Sequence, residues 1–260
     1  MEGVLPLAPS LDHVGVMARC VRDLAFIYEA IATDDFETDD CQLAINDQID
    51  PADRYPPIVN LLTGFFESEW DSAARSLFRS SMPNLVQGPG EYSGGFVAKL
   101  LPAGFAEIPH DHKLMMAVEA AAYHGIRYQR HPEDYPPRIA ELIREGQQYR
   151  ATDYAEANRK RFELLNELND GFRGSHSVTP ATPGAAPDLS STGPALFNLP
   201  WSFLGFPTVS IPYARDREGM PHSLQFIGWR HGEDRLLATA AWYEIAAKFI
   251  IGLPELTELK

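Results

Sequence analysis

The stretch FNLPWSFLGFPTVSIPYARDREGMPHSLQFIGWRHGEDRLLATAAWYE, residues 197–244, decides how this chain is read. Within it, FPTVSIPY (206–213) and HSLQFIGW (222–229) alternate apolar and polar residues, the period of half-buried strands. DREGMP between them supplies turn residues, so the two runs predict a hairpin. EDRLLATAAWYEIAAKFI (233–250) follows as a helix. Immediately upstream, SHSVTPATPGAAPDLSSTGPALFNLPWS (175–202) is rich in Pro, Gly and Ser with aromatics embedded. A loop this long inside a compact domain is usually functional or a cleft wall.

Further out, strand-like and helix-like segments alternate. Asp153 with Glu156 is a capping-box pattern opening DYAEANRKRFELLNELND, and Gly171 and Gly174 end that helix. YPPRIAELIREGQQY (135–149) starts a helix at its proline pair. HKLMMAVEAAAYH (112–124) is helical, and FVAKLLPAGF (96–105) reads as a short strand. QGPGEYSGG (87–95) breaks any regular element. ESEWDSAARSLFRSSM (67–82) predicts a helix that stops before Pro83, and IVNLLTGFF (58–66) a buried strand. MARCVRDLAFIYEAIA (17–32) places Met17, Val21, Leu24, Tyr28 and Ile31 on one helical face.

Composition narrows the function classes. The 260 residues include 22 Lys+Arg against 36 Asp+Glu, a net charge of −14. Phosphate backbones need a basic face, so this balance argues against a nucleic-acid partner. Residues 33–53 hold eight acids and no base, which reads as a solvated, self-repelling loop. Its D-x-D spacing lacks the Gly and terminal Glu of a calcium loop. Cys20 and Cys41 form no C-x-x-C pair, so a reduced, cytoplasmic setting is expected. No stretch has the length of an apolar membrane span, and the N-terminal residues do not have the pattern of a signal peptide.

Isolated candidates for chemistry are weak. Ser80-Ser81 and Ser190-Ser191 have no glycines on both sides and no nearby lysine, as an activated nucleophile needs. His110-Asp111-His112 offers two imidazoles and no third ligand. The lysines are Lys99, Lys113, Lys160, Lys248 and Lys260; burial of Lys99 and Lys113 is not legible from sequence. Asp12 and Arg19 read as a structural pair. No dinucleotide, P-loop or zincin motif occurs.

LAPSLDHVGVMARCVRDLAFIYEAIA (7–32) resembles the stretch that follows the catalytic region in amidase-signature enzymes. Residues 197–244 resemble that family's C-terminal block, with its F-N-x-P-W, G-x-P and Q-x-I-G elements. MMAVEAAAYH (115–124), HPEDYPP (131–137) and TPATPGAAP (179–187) fit in order between them. The resemblance implies an α/β fold, the C-terminal part of the amidase-signature fold, with a mixed β-sheet flanked by helices. It treats 1–260 as a single partial domain. The family hydrolyses linear amides with a Ser–cis-Ser–Lys triad, which the resemblance places ahead of this segment. It therefore assigns no catalytic residue here, and no cofactor or metal. The implied product is a truncated amidase or one half of a split enzyme; the alternative is a non-catalytic pseudoenzyme or a ligand- or partner-binding subunit.

Two features depart from the family wording: Val16 stands where proline is common, and residues 87–95 interrupt an expected strand. For contact with a small amide, the resemblance points to Phe197, Asn198 and Trp201 in the aromatic loop, with Tyr123 more remote. The competing reading makes Phe197 and Trp201 core anchors. A half-domain leaves strand edges and an apolar face uncovered. A complementary N-terminal amidase half or a homodimer would cover them, with no nucleic acid and no membrane involved.

Overall fold

A computed structural model of the chain describes residues 3–32, 57–87 and 93–249. The acidic run 33–53, Cys41 and residues 88–92 of the Gly-rich run lie outside the described residues. The hairpin forms where the alternation predicts it. β4 (Thr208–Arg215) and β5 (Pro221–Ile227) pair antiparallel around Asp216, whose carboxylate accepts the N–H groups of Glu218 and Met220, both at 2.9 Å. Three further strands, β1 (Ile58–Thr63), β2 (Gly95–Leu100) and β3 (His176–Pro180), complete a five-stranded sheet of order β2-β1-β3-β5-β4. β1 runs parallel to β2 and β3, and β3 antiparallel to β5. The sheet is thus mixed.

Helices flank it. α2 (Ser72–Gln87) and α7 (Glu233–Ala247) cover one face through aromatic contacts. Tyr243 of α7 meets Phe96 of β2 and Phe226 of β5, and Phe78 of α2 meets Phe96 and Tyr213 of β4, at centroid separations of 5.0–6.0 Å. α1 (Val21–Ile31) packs on α7; its first N–H, on Val21, is accepted by both carboxylate oxygens of Glu244, at 3.0 and 3.1 Å. Toward the other face lie α3 (Ile108–Arg130), α4 (Pro137–Gly146), α5 (Ala151–Phe172) and the short α6 (Leu199–Leu204). Gly146 is where α4 crosses α3: a Cβ there would fall 1.8 Å from the Ala117 carbonyl oxygen.

The structure corrects several expectations. The composition of 175–202 predicts loop throughout, yet His176–Pro180 is strand β3. Its residues, HSVTP, are buried on both faces, so a strand at the centre of the sheet need show no alternation. α2 does not stop before Pro83 but continues to Gln87, with Leu85 only 1% exposed. Proline forfeits one helical hydrogen bond, and the burial of Leu85 beyond it offsets that loss. The capping box sits one turn earlier than predicted: Asp153 is the third helical residue and accepts the N–H of Arg150 at 3.0 Å. Met17 is 95% exposed and precedes α1. Asp12, expected beside Arg19, accepts the N–H groups of Leu7 and Ala8, at 2.8 and 3.0 Å, and so closes the turn that buries Ala8 and Leu11.

Candidate functional site

In open α/β sheets, ligands bind where loops leave the carboxyl ends of parallel strands. Here three such loops converge. The loop after β1 turns at Gly64 (φ +86°) and carries Phe65 and Phe66. The segment after β2 carries Phe105, and the long loop after β3 carries Phe197 into α6, which adds Trp201. Their rings form one cluster. Phe66 lies 5.1 Å from Phe65, 5.7 Å from Phe105, 5.1 Å from Phe197 and 6.0 Å from Trp201; Phe105 lies 5.1 Å from Phe65 and 5.6 Å from Trp201. Burying each large ring contributes about 2–3 kcal/mol, so this floor holds the three loops together.

The long loop is also fastened to α2. The Asp71 N–H donates to the Pro183 carbonyl at 2.8 Å, while the Asp71 carboxylate caps α2 through the N–H groups of Ala73 and Ala74. Gly184 packs against Asp71, where a Cβ would lie 3.3 Å from the Asp71 Cβ.

Of the residues expected at the site, the structure brings three together. Phe197 and Trp201 are 0% and 2% exposed, so their rings are parts of the floor. Asn198, between them, is exposed. Its Oδ1 accepts from Gln225 Nε2 at 3.1 Å, and the same nitrogen donates to the Phe197 carbonyl at 3.2 Å. Gln225 thereby fixes the Asn198 amide and leaves its Nδ2 donors unengaged among the described residues. Tyr123 is elsewhere. The His112 ring faces Phe203 at 6.3 Å where α3 meets α6, and Tyr123 lies about three turns further along α3. Its ring meets His124 edge-on at 4.8 Å, and His124 bonds the Pro6 carbonyl at 2.7 Å and Tyr135 at 3.1 Å. Tyr123, 52% exposed, thus lies on α3 away from the ring cluster.

Sequence reasoning misses the polar row beneath the loop. Thr179 of β3 stands opposite Gln225 of β5, and Ser177 stands opposite Asn60 of β1. The Ser177 and Thr179 hydroxyls are fully buried and have no hydrogen-bond partner among the described residues. The signal is present in the T-P-A-T-P and Q-x-I-G wording, but it becomes legible only once β3 is known to be a strand.

The described serines and lysines form no nucleophile–base pair. Ser80 bonds the Leu77 carbonyl, Ser190 bonds Asp188, and the Ser191 hydroxyl accepts the Gly193 N–H. Lys113 pairs with Glu145 at 2.9 Å and Lys160 with Glu107 at 2.6 Å. Lys99 donates to the Gly171 carbonyl and lies 5.2 Å from the Phe172 ring centre; partial burial pulls its ammonium below the usual lysine range. His110 bonds Asp111 at 3.0 Å, and no group of three His, Cys, Asp or Glu side chains suited to a metal occurs among the described residues. The arrangement can bind and orient a ligand through Asn198.

No family model matches the chain. It is 27% identical over 299 residues to a glutamyl-tRNA(Gln) amidotransferase subunit of Ruegeria pomeroyi, covering 95% of this chain and 57% of that protein. The mitochondrial counterpart from Ornithorhynchus anatinus is 26% identical, covering 99% and 56%. The chain thus spans little more than half the length of the curated relatives it matches. A solved amidase superposes with a TM-score of 0.76 at 26% identity, over 94% of this chain and 55% of that one. The peptide amidase of Stenotrophomonas maltophilia shares the fold at 20% identity, with a TM-score of 0.67 over 93% of this chain and 55% of that one.

Proposed function

The chain belongs to the amidase signature family, and we propose that it supplies, as one domain unit, the C-terminal half of a carbon–nitrogen hydrolase acting on linear amides. The observation that carries this reading is the superposition on a solved amidase over nearly the whole chain. In this reading the nucleophilic serine, its bridging serine and the lysine come from a complementary N-terminal half. This chain contributes the wall at the carboxyl ends of β1, β2 and β3. Phe197 and Trp201 form its floor, and Asn198 donates from Nδ2 to an acceptor oxygen of the amide. Tyr123 serves a more remote part of the substrate. The proposed setting is cytoplasmic, in keeping with Cys20, which has no disulfide partner among the described residues. The relatives' names mention tRNA, but a net charge of −14 disfavours phosphate contacts by this chain.

A second reading, a non-catalytic binding subunit, is favoured by one observation. The lysines 99, 113 and 160 are engaged with a carbonyl or carboxylates rather than with a serine. One experiment separates the two. The chain is assayed against a panel of aryl and aliphatic amides alone, and then with the part of the Ruegeria pomeroyi relative that it does not match. Turnover only in the mixture, with KM raised by Asn198→Ala, supports the hydrolase reading. Binding without turnover supports the second. Turnover by the chain alone, abolished with fluorophosphonate labelling by Ser191→Ala, overturns both.

A further inference from the structure

The central strand carries hydroxyls that its neighbours leave unsatisfied. Side chains alternate between the faces of β3. His176 and Val178 face α7: His176 Nδ1 shares a hydrogen bond of 2.8 Å with the Thr239 hydroxyl, and Val178 stands opposite Phe226, whose ring meets Tyr243. Ser177 and Thr179 therefore face the other way, the side on which Gln225 reaches the Phe197 carbonyl. A polar row runs along this face. At one end Asn60, opposite Ser177, donates from Nδ2 to the Ser175 hydroxyl at 3.0 Å. At the other end Gln225, opposite Thr179, donates to Asn198 Oδ1 at 3.1 Å. Both ends of the row are hydrogen-bonded, and its middle is not. Ser177 and Thr179 are each 0% exposed, and neither hydroxyl has a partner among the described residues. A buried hydroxyl without a partner costs stability, and here two of them lie on one face of one strand.

We infer that Ser177 and Thr179 bind an internal water between them. Side chains two residues apart on one face of a strand are separated by about 7 Å, too far for a direct bond between the hydroxyls. A bridging water makes two bonds of about 2.8 Å each, and rotation of the two side chains takes up the remaining distance. Water both donates and accepts, as each hydroxyl does, so one molecule satisfies both. Buried waters typically take this role, with about three hydrogen bonds to polar groups that have no other partner. A second polypeptide cannot take it, because neither residue has accessible surface and the ring cluster holds the loop down above them. The chemistry of the row also disfavours an ion. Asn60, Ser175, Ser177, Thr179, Gln225 and Asn198 are all neutral, with no carboxylate for a cation and no cationic side chain for an anion. The water thus fills the middle of the row and braces β3 beneath the Gln225–Asn198 pair. The inference is independent of the hydrolase reading, since it concerns only residues within this chain.

The test uses the full chain and two readouts. Oxygen-17 relaxation dispersion has an amplitude that counts long-held internal waters. It should fall by one water in Thr179→Val, which keeps the side chain's shape without the hydroxyl, and in the double variant Ser177→Ala/Thr179→Val. Thr179→Ser keeps the hydroxyl and should retain the native amplitude. Urea denaturation supplies the second readout. Ser177→Ala and Thr179→Val each strand the other hydroxyl, so each should raise the unfolding equilibrium constant by about fivefold or more. The double variant strands neither, and its unfolding constant should rise by less than the product of the two single factors. An unchanged dispersion amplitude in Thr179→Val overturns the inference. So do single variants that unfold less readily than the native chain, because that is the response of hydroxyls buried with no partner at all. If the double variant fails to fold, the contrast between Thr179→Ser and Thr179→Val in dispersion amplitude decides the matter: loss in Val alone supports the water, and equal amplitudes overturn it.

Discussion

His176 makes stability depend on pH in a way that can be worked from its surroundings. It opens β3, 8% exposed, with its ring stacked on Trp229 at 4.9 Å and an interplanar angle of 9°. Nδ1 shares a hydrogen bond of 2.8 Å with the Thr239 hydroxyl, and Nε2 is buried without a partner among the described residues. Burial pushes the imidazole down from 6.5 to about 4, with Arg235 adding to the effect and Asp234 opposing it. The unfolded chain therefore binds this proton more readily than the native one between those two values. Stability from this group is complete above pH 6.5 and is lost as pH falls toward 4. The loss amounts to about 2 kcal/mol at pH 5 and about 3 kcal/mol at pH 4. Urea denaturation at pH 7.5 and pH 5.0 should be compared in the native chain and in His176→Gln. The substitution has its own packing cost, but that cost is common to both pH values. The native chain should lose about 2 kcal/mol more than the variant between them. Parallel losses in the two proteins, or an NMR titration of the His176 ring near 6.5, would refute the argument.

Other substitutions test the framework. Gly146→Ala sets a Cβ against the Ala117 carbonyl, which is backbone and cannot yield, so α3 and α4 must separate; a loss of about 3 kcal/mol or more, or failure to accumulate as soluble protein, is expected. Asp71→Ala removes the cap of α2 and should cost about 1 kcal/mol in chemical denaturation. Burial raises the Glu244 carboxyl above the usual carboxylate range, so its native state holds the proton more readily and this group's contribution falls as pH rises through that value. Glu244→Gln keeps an acceptor for the Val21 N–H and should melt within a few degrees of the native chain at pH 7, whereas Glu244→Ala should lose about 1 kcal/mol. Trp201→Ala opens a cavity beneath the loop and should cost about 3–5 kcal/mol by the same denaturation assay.

Sequence locates most securely the parts whose burial is one-sided or whose turn is strongly marked. β4 alternates because one face meets α7 and α2; β5 is buried on both faces from Leu224 to Ile227, and its polar Ser223 and Gln225 together with the turn at Asp216 make the hairpin legible. The amphipathic helices are legible where one face is buried, but their ends are not: α3 runs Ile108–Arg130 where the pattern marks 112–124, and α2 runs Ser72–Gln87 where it marks 67–82. Pattern reading fails where both faces are buried or where a contact distant in sequence replaces a local one. β3 is HSVTP, five buried residues with three hydroxyl- or imidazole-bearing side chains, and nothing within the segment distinguishes it from the loop that follows. The start of α1 is hidden from a local reading because its capping acceptor, Glu244, lies 223 residues away.

The candidate site shows the same division, and this bears on its chemistry. Its aromatic residues are evident from composition, yet aromatic rings at the carboxyl ends of strands are needed to hold loops together whether or not a ligand binds. The polar groups carry more information about recognition, because a buried polar side chain must find a partner or cost stability. Gln225 has no reason to sit under the loop as a packing residue, since an apolar side chain of its size would fill that space without needing hydrogen-bond partners. It satisfies its amide on the Phe197 carbonyl and on Asn198, and in doing so it turns Asn198 outward with its donors free. The floor thus accounts for why the loops stay in place, and the Gln225–Asn198 pair accounts for what they present. Gln225→Leu should therefore leave the ring cluster folded while releasing the Asn198 side chain, which would appear as line-narrowing of its Nδ2 resonances; unchanged Nδ2 dynamics would mean that the loop backbone, not Gln225, sets its orientation.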